Sequence, residues 1–209
     1  MKHTINIVAI LMAVILLSCC SNASQKKDEL CKRYKSIVQS EFVKKARQYD
    51  ADTRYLIIVD YSIPSNHDRL FLYDAEKDEI VEQFWCAHGF GGGSTPEKPV
   101  FSNTPGSNCS SLGWYKVERG VGKSTHYGYY YHAVDGLDTS NSNARRRQIL
   151  IHPWWRVDKD CLLQIDHPMN LDGRCAGCFT TTHDGYETLD DYIKSCSKRI
   201  LLVAVNGEG

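Results

Sequence analysis

The 209-residue chain carries no excess of charge of either sign: Lys plus Arg and Asp plus Glu each number 25. A protein that grips nucleic acid by its phosphates needs a basic surplus, so no nucleic-acid partner is expected. Long apolar runs are also missing. The N-terminal stretch from Ile5 to Leu17 falls short of the roughly 20 residues that a spanning helix needs. Internal repeats, heptads and low-complexity tracts are absent. So is the paired Cys/His spacing of a four-ligand zinc site. Neither a metal nor a cofactor is expected.

What is present begins with compartment. Lys2 followed by the Ile5–Leu17 run has the layout of a secretory signal peptide. Ser18-Cys19 then supplies the small residue and cysteine of a lipoprotein cleavage point. The reading is a signal peptide over residues 1–18, lipidation of Cys19 and a polar tether over 19–28. A diacylated cysteine would anchor the chain to a membrane without spanning it. The location is the bacterial cell envelope, facing the periplasm. Nine cysteines suit an oxidising compartment.

Leu30, Tyr34, Ile37, Val38, Phe42 and Ala46 recur at helical spacing, which predicts an amphipathic helix over 29–49. Residues 50–209 then form one domain. Short β-rich runs follow at Tyr55–Tyr61, Arg69–Tyr73, Ile80–Cys86, Trp114–Glu118, Tyr127–Val134, Gln148–His152 and Ile200–Val205. A Gly/Ser/Pro-rich loop occupies Gly89–Gly106, and a helix is expected over Leu189–Ser197. The tyrosines at 127 and 129–131 are read as a strand whose alternation buries some rings and exposes others, with core packing favoured. His126, His132, His167 and His183 are read as surface or loop residues. The fold class is mainly β, a single β-sandwich or barrel with a helix at each flank.

The chemistry concentrates in Gly177-Cys178 and in His152 at the end of an apolar run. A thiolate is the nucleophilic form of cysteine, and a neighbouring imidazole that takes the proton activates it. Cys178 is therefore read as a nucleophile paired with His152. A structural disulfide, and a redox or metal Cys-x-x-Cys with Cys175, stand as the alternatives. His88 is read as lining the cleft, and Trp154 as stacking on a ligand.

Several segments carry a resemblance. They are Asp60-Tyr61-Ser62, Arg69-Leu70-Phe71, Ala87-His88-Gly89, Phe101–Ser107, Ser110–Gly113, Asn141–Ala144, Arg147, Ile149–His152 and Gly177-Cys178. In this order they resemble the murein L,D-transpeptidase catalytic-domain family, in its YkuD-like branch, from about Arg54 to Val205. The resemblance implies that Cys178 forms a thioester with a peptidoglycan stem peptide and that His152 is base and acid. Backbone N–H groups around Gly177 and Cys178 would form the oxyanion hole. The thioester would pass to an amine, giving a 3→3 crosslink, or to water, giving carboxypeptidase action. His88, Ser102, Asn103, Cys175 and Trp154 are assigned to substrate binding, and the chain is expected to act as a monomer. A non-catalytic cell-wall-binding lipoprotein is the competing reading. Cys175, where the family has Ser or Thr, is expected to pair with Cys161 across an insertion at Val157–Leu171. The second option is a reversible bond to Cys178.

Overall fold

The computed structural model describes residue 25 and residues 27–126, 128–154, 157 and 175–207. The expected signal peptide, Cys19, most of the tether, Tyr127, Trp155, Cys161, His167 and all but Val157 of the expected insertion lie outside the described residues.

Helix α1 runs through residues 27–37, a π turn at Val38–Phe42 and an α segment at Val43–Gln48. Tyr34, Val38, Phe42 and Ala46 fall four residues apart and are all buried. That stripe presses on Leu56, Ile58, Phe71, Tyr73, Leu201 and Val203. The indole N–H of Trp114 donates to Glu41 at 2.9 Å and the Tyr34 hydroxyl to Asp60 at 3.0 Å, tying helix to sheet.

The strands are β1 (Ala51–Asp60), β2 (Asp68–Asp74), β3 (Glu79–Trp85), β4 (Gly113–Lys123), β5 (Tyr130–Gly136), β6 (Leu150–Pro153), β7 (Phe179–Thr181) and β8 (Arg199–Val205). They make one sheet in the order β3-β2-β1-β8-β4-β5-β6-β7. β1 is apolar on both faces because both are covered. Leu56 and Ile58 face α1, while Ile57 and Val59 join an inner core with Tyr115, Ile151 and Phe179. The two sheet edges meet: Ala87 N–H donates to Thr180 O at 2.8 Å, and the Thr181 hydroxyl to Trp85 O at 2.7 Å. The sheet therefore curls into a nearly closed barrel rather than splitting into a sandwich.

Helix α2 (His183–Ser195) buries Tyr186, Leu189 and Ile193 in the inner core. Thr182 caps it by accepting from Gly185 N–H at 3.1 Å. The helix starts six residues before the expected Leu189, because its first turn carries few apolar residues to mark a period. β7, only three residues long, is too short to alternate visibly in sequence. Among the described residues, no helix is long and apolar enough to cross a membrane.

Candidate active site

β6 and β7 are parallel neighbours, with Ile151 opposite Phe179 and His152 opposite Thr180. Parallel neighbours need a long crossover, which accounts for the distance in sequence between His152 and Cys178. Cys178 immediately precedes β7, and strand side chains alternate with period two. Cys178 and Thr180 thus share a face with Leu150 and His152. All four line one cavity of about 170 Å³, together with Tyr129, Trp154 and Cys175.

His152 is 8% exposed, and its Nδ1 lies 3.0 Å from Pro153 O. A carbonyl only accepts, so the ring proton sits on Nδ1 and the Nε2 lone pair accepts from the Thr180 hydroxyl at 3.3 Å. The Tyr129 ring stacks on the imidazole, with centroids 4.5 Å apart and planes 6° from parallel. Trp154 meets Tyr129 edge-on at 6.0 Å. Burial pulls the His152 pKa down to about 4, so the imidazole is neutral at neutral pH.

The Cys178 thiol donates to Gln148 O at 3.6 Å. Gln148 holds a left-handed backbone, φ 56°, of the kind found strained at functional sites. Burial pushes the Cys178 thiol up to about 12, against the opposing pull of Leu150 N–H and Arg147. Burial of both groups thus favours a neutral thiol beside a neutral imidazole over the expected thiolate–imidazolium pair in the resting cavity. Separating charge in this weakly polar lining costs more than the pair returns at rest.

Gly177 has φ +106°, and a Cβ there would stand 2.2 Å from Cys109 O. Only glycine lets the nucleophile loop lie this close to the Cys109 backbone. Cys175 Sγ donates to Cys178 O at 3.6 Å and lies 3.6 Å from the Thr180 hydroxyl. All six described cysteines, Cys31, Cys86, Cys109, Cys175, Cys178 and Cys196, are free thiols. Cys175 and Cys178 are not bonded to each other, because the Cys175 sulfur turns toward the Cys178 carbonyl rather than the Cys178 sulfur; the expected partner Cys161 lies outside the described residues.

Three residues assigned to substrate binding stand away from this cavity. His88 is fully buried, 2.7 Å from the Arg69 guanidinium, and burial next to that cation pulls its pKa down to about 3. It braces the inside of the fold. Ser102 and Asn103 do not line the cavity of Cys178. Ser102 O accepts from Arg147 at 2.8 Å, and its hydroxyl accepts from Thr104 N–H at 3.1 Å. Asn103 is a latch: its amide donates to Thr139 O at 2.9 Å and to Ser142 Oγ at 3.0 Å. Its Oδ1 accepts from Asn143 N–H at 3.0 Å. Asn103→Ala is expected to lower stability by about 0.5–1.5 kcal/mol, since it removes these hydrogen bonds from partly exposed partners. A denaturant midpoint identical to wild type contradicts the latch. Trp154 and Cys175 do line the cavity.

Two further expectations change. His132, read as a surface residue, is fully buried between Glu118 O at 2.8 Å and Asp190 at 2.9 Å. Among the tyrosines, Tyr130 is one of the exposed rings at 53%, and Tyr129 precedes β5 and covers His152 instead of joining the core.

Arg147 is the site residue whose role sequence reasoning missed; it stood only as one position of a motif. Its guanidinium donates to Ser102 O at 2.8 Å, to Ser111 Oγ at 3.3 Å, to Cys109 O, and to Ala176 O at 3.5 Å. Its separation of two residues from the β6 run was the available signal, with no hint of which carbonyls it would meet.

The family model for the L,D-transpeptidase catalytic domain matches residues 26–202. No curated protein matches the chain. Among solved structures, the chain is similar to the helical cell shape determining protein Pgp2 from Campylobacter jejuni, at 14% identity and TM-score 0.46. That match covers 75% of this chain and 49% of Pgp2, so the chain spans about half the length of that relative. It is also similar to the L,D-transpeptidase from Xylanimonas cellulosilytica, at 11% identity and TM-score 0.35, covering 77% of this chain and 68% of that one.

Proposed function

The chain belongs to the L,D-transpeptidase catalytic-domain family, and on that premise we propose that it performs cysteine-dependent acyl transfer on peptidoglycan stem peptides. The observation that carries this reading is the shared cavity, where a thiol stands with an imidazole whose Nε2 lone pair is held at rest only by the Thr180 hydroxyl at 3.3 Å. Cys178 gives its proton to His152 Nε2 as its sulfur leaves Gln148 O and attacks the carbonyl carbon of the stem's third residue. N–H groups of Gly177 and Cys178 hold the oxyanion. The C–N bond to the terminal D-alanine breaks, and the leaving amine takes the proton from His152. An acceptor amine, or water, then cleaves the thioester and returns the thiol. Transfer to an amine gives a 3→3 crosslink, and transfer to water gives an L,D-carboxypeptidase.

Digestion of defined tetrapeptide muropeptides with mass-spectrometric readout tests the reading. Loss of D-alanine, with or without dimers, is expected; unchanged masses overturn it. The competing non-catalytic reading needs a locked thiol, and the free thiols of Cys175 and Cys178 weigh against it. Anchoring to the cell envelope through lipid on Cys19 belongs to the same proposal. Intact-mass analysis of membrane-extracted protein reads it directly, and a soluble chain starting elsewhere contradicts it.

The neutral resting state has a pH signature. A thiol raised by burial is protonated at neutral pH and ionises only as pH climbs toward about 12. Alkylation of Cys178 by iodoacetamide is therefore expected to keep rising through pH 9–10 in the free protein. A plateau already reached near pH 6 restores the preformed ion pair instead.

A further inference from the structure

We infer that Arg147 is a positioning residue for this site, aiming the backbone donors of the nucleophile loop and biasing the cavity toward negative charge. The inference rests on the acyl-transfer reading and adds to it a cationic group that neither the Gly-Cys nor the His motif contains. Four acceptors from three separate segments converge on its guanidinium: Ser102 O from the long loop, Cys109 O and Ser111 Oγ from the stretch before β4, and Ala176 O from the nucleophile loop. Among the described residues no carboxylate pairs with it, and the partners it has there are carbonyl and hydroxyl oxygens.

Two consequences follow from elementary geometry. In a trans peptide the C=O and the following N–H point in opposite directions. With Ala176 O turned to Arg147, the Gly177 N–H points away from the guanidinium. Consistent with that, burial raises the thiol of Cys175, which lines the cavity, and the N–H groups of Gly177 and Cys178 pull against that rise. Those are the two donors an oxyanion needs. Secondly, the loop sits on the guanidinium without slack: a Cβ on Gly177 would stand 3.0 Å from Arg147 Nη2 and 2.2 Å from Cys109 O. The same cation favours the ionised form of Cys178. A guanidinium fork suits this task better than an ammonium, because it reaches several acceptors in fixed directions.

The test compares Arg147→Ala and Arg147→Lys with the unchanged chain. On tetrapeptide muropeptides, kcat of Arg147→Ala is expected to fall about 100-fold, as misplacement near 1 Å does, with KM within about threefold. Its iodoacetamide alkylation curve for Cys178 should move to higher pH, and added guanidinium ion should restore part of kcat. Arg147→Lys keeps the charge and loses the fork, so its alkylation curve stays near wild type while kcat remains depressed; this variant decides the matter where alanine fails to fold. An alanine variant that folds with an unmoved alkylation curve, or a lysine variant with full kcat, overturns the inference. Alkylation needs no substrate, so a chain inactive on muropeptides sinks the acyl-transfer reading while the alkylation curves still judge Arg147.

Discussion

Replacing Cys178 with alanine is expected to abolish acyl transfer, by on the order of 10⁴-fold or more, with the fold intact. Loss of a nucleophile removes the covalent path itself, and knockouts of this kind in other acyl-transfer enzymes are of that size. The structural cost is small. Cys178 is half-buried as a residue, its thiol reaches Gln148 O only at 3.6 Å, and neither inner nor outer core includes it. Thermal unfolding should shift little while D-alanine release from a tetrapeptide muropeptide disappears. Comparable turnover by the variant would falsify the assignment of Cys178.

The second large effect belongs to His152. His152→Ala is expected to lower kcat about 10³-fold, within the 10²–10⁴ range of a positioned proton-transfer group. Nδ1 is committed to Pro153 O, so Nε2 is the nitrogen that can take the thiol proton. A second readout separates base from ion-pair partner. In the resting protein Nε2 faces Thr180 and the thiol faces Gln148, so the alkylation curve of Cys178 should barely move in the variant. A strong upward move would mean that imidazolium was holding a thiolate at rest. Loss of the Tyr129 stack costs some stability, about 0.5–1.5 kcal/mol. That is far too little to account for a thousandfold fall in kcat by unfolding.

Much of the fold was legible from period alone. The helical stripe of Tyr34, Val38, Phe42 and Ala46 announced α1, and all four positions are buried. The Tyr55–Tyr61 run announced a strand, and the two cores on either side of β1 account for its unbroken apolar stretch at Leu56–Val59. Boundaries were less legible where polar residues dominate, as at the start of α2, or where a strand is as short as β7. His88 looked like a cleft residue because its Gly-rich setting reads as an open turn. Its burial comes from Arg69, which approaches from β2, nineteen positions earlier in the chain.

By itself the sequence determined which groups were available and the local periods in which they came. It carried a thiol after a glycine, a histidine ending an apolar run, an amphipathic helix and β-rich segments, because such patterns depend on neighbours within one or two turns. Tertiary structure alone decided who meets whom. The parallel pairing of β6 with β7 set His152 opposite Thr180 and one step from Cys178. The curled sheet brought Trp85 and Ala87 to β7. Arg147 gathered carbonyls from Ser102, Cys109 and Ala176, and Tyr129 came to lie flat on His152. The protonation state at rest was decided there too: burial keeps both Cys178 and His152 neutral, and burial is a property of the whole packed chain.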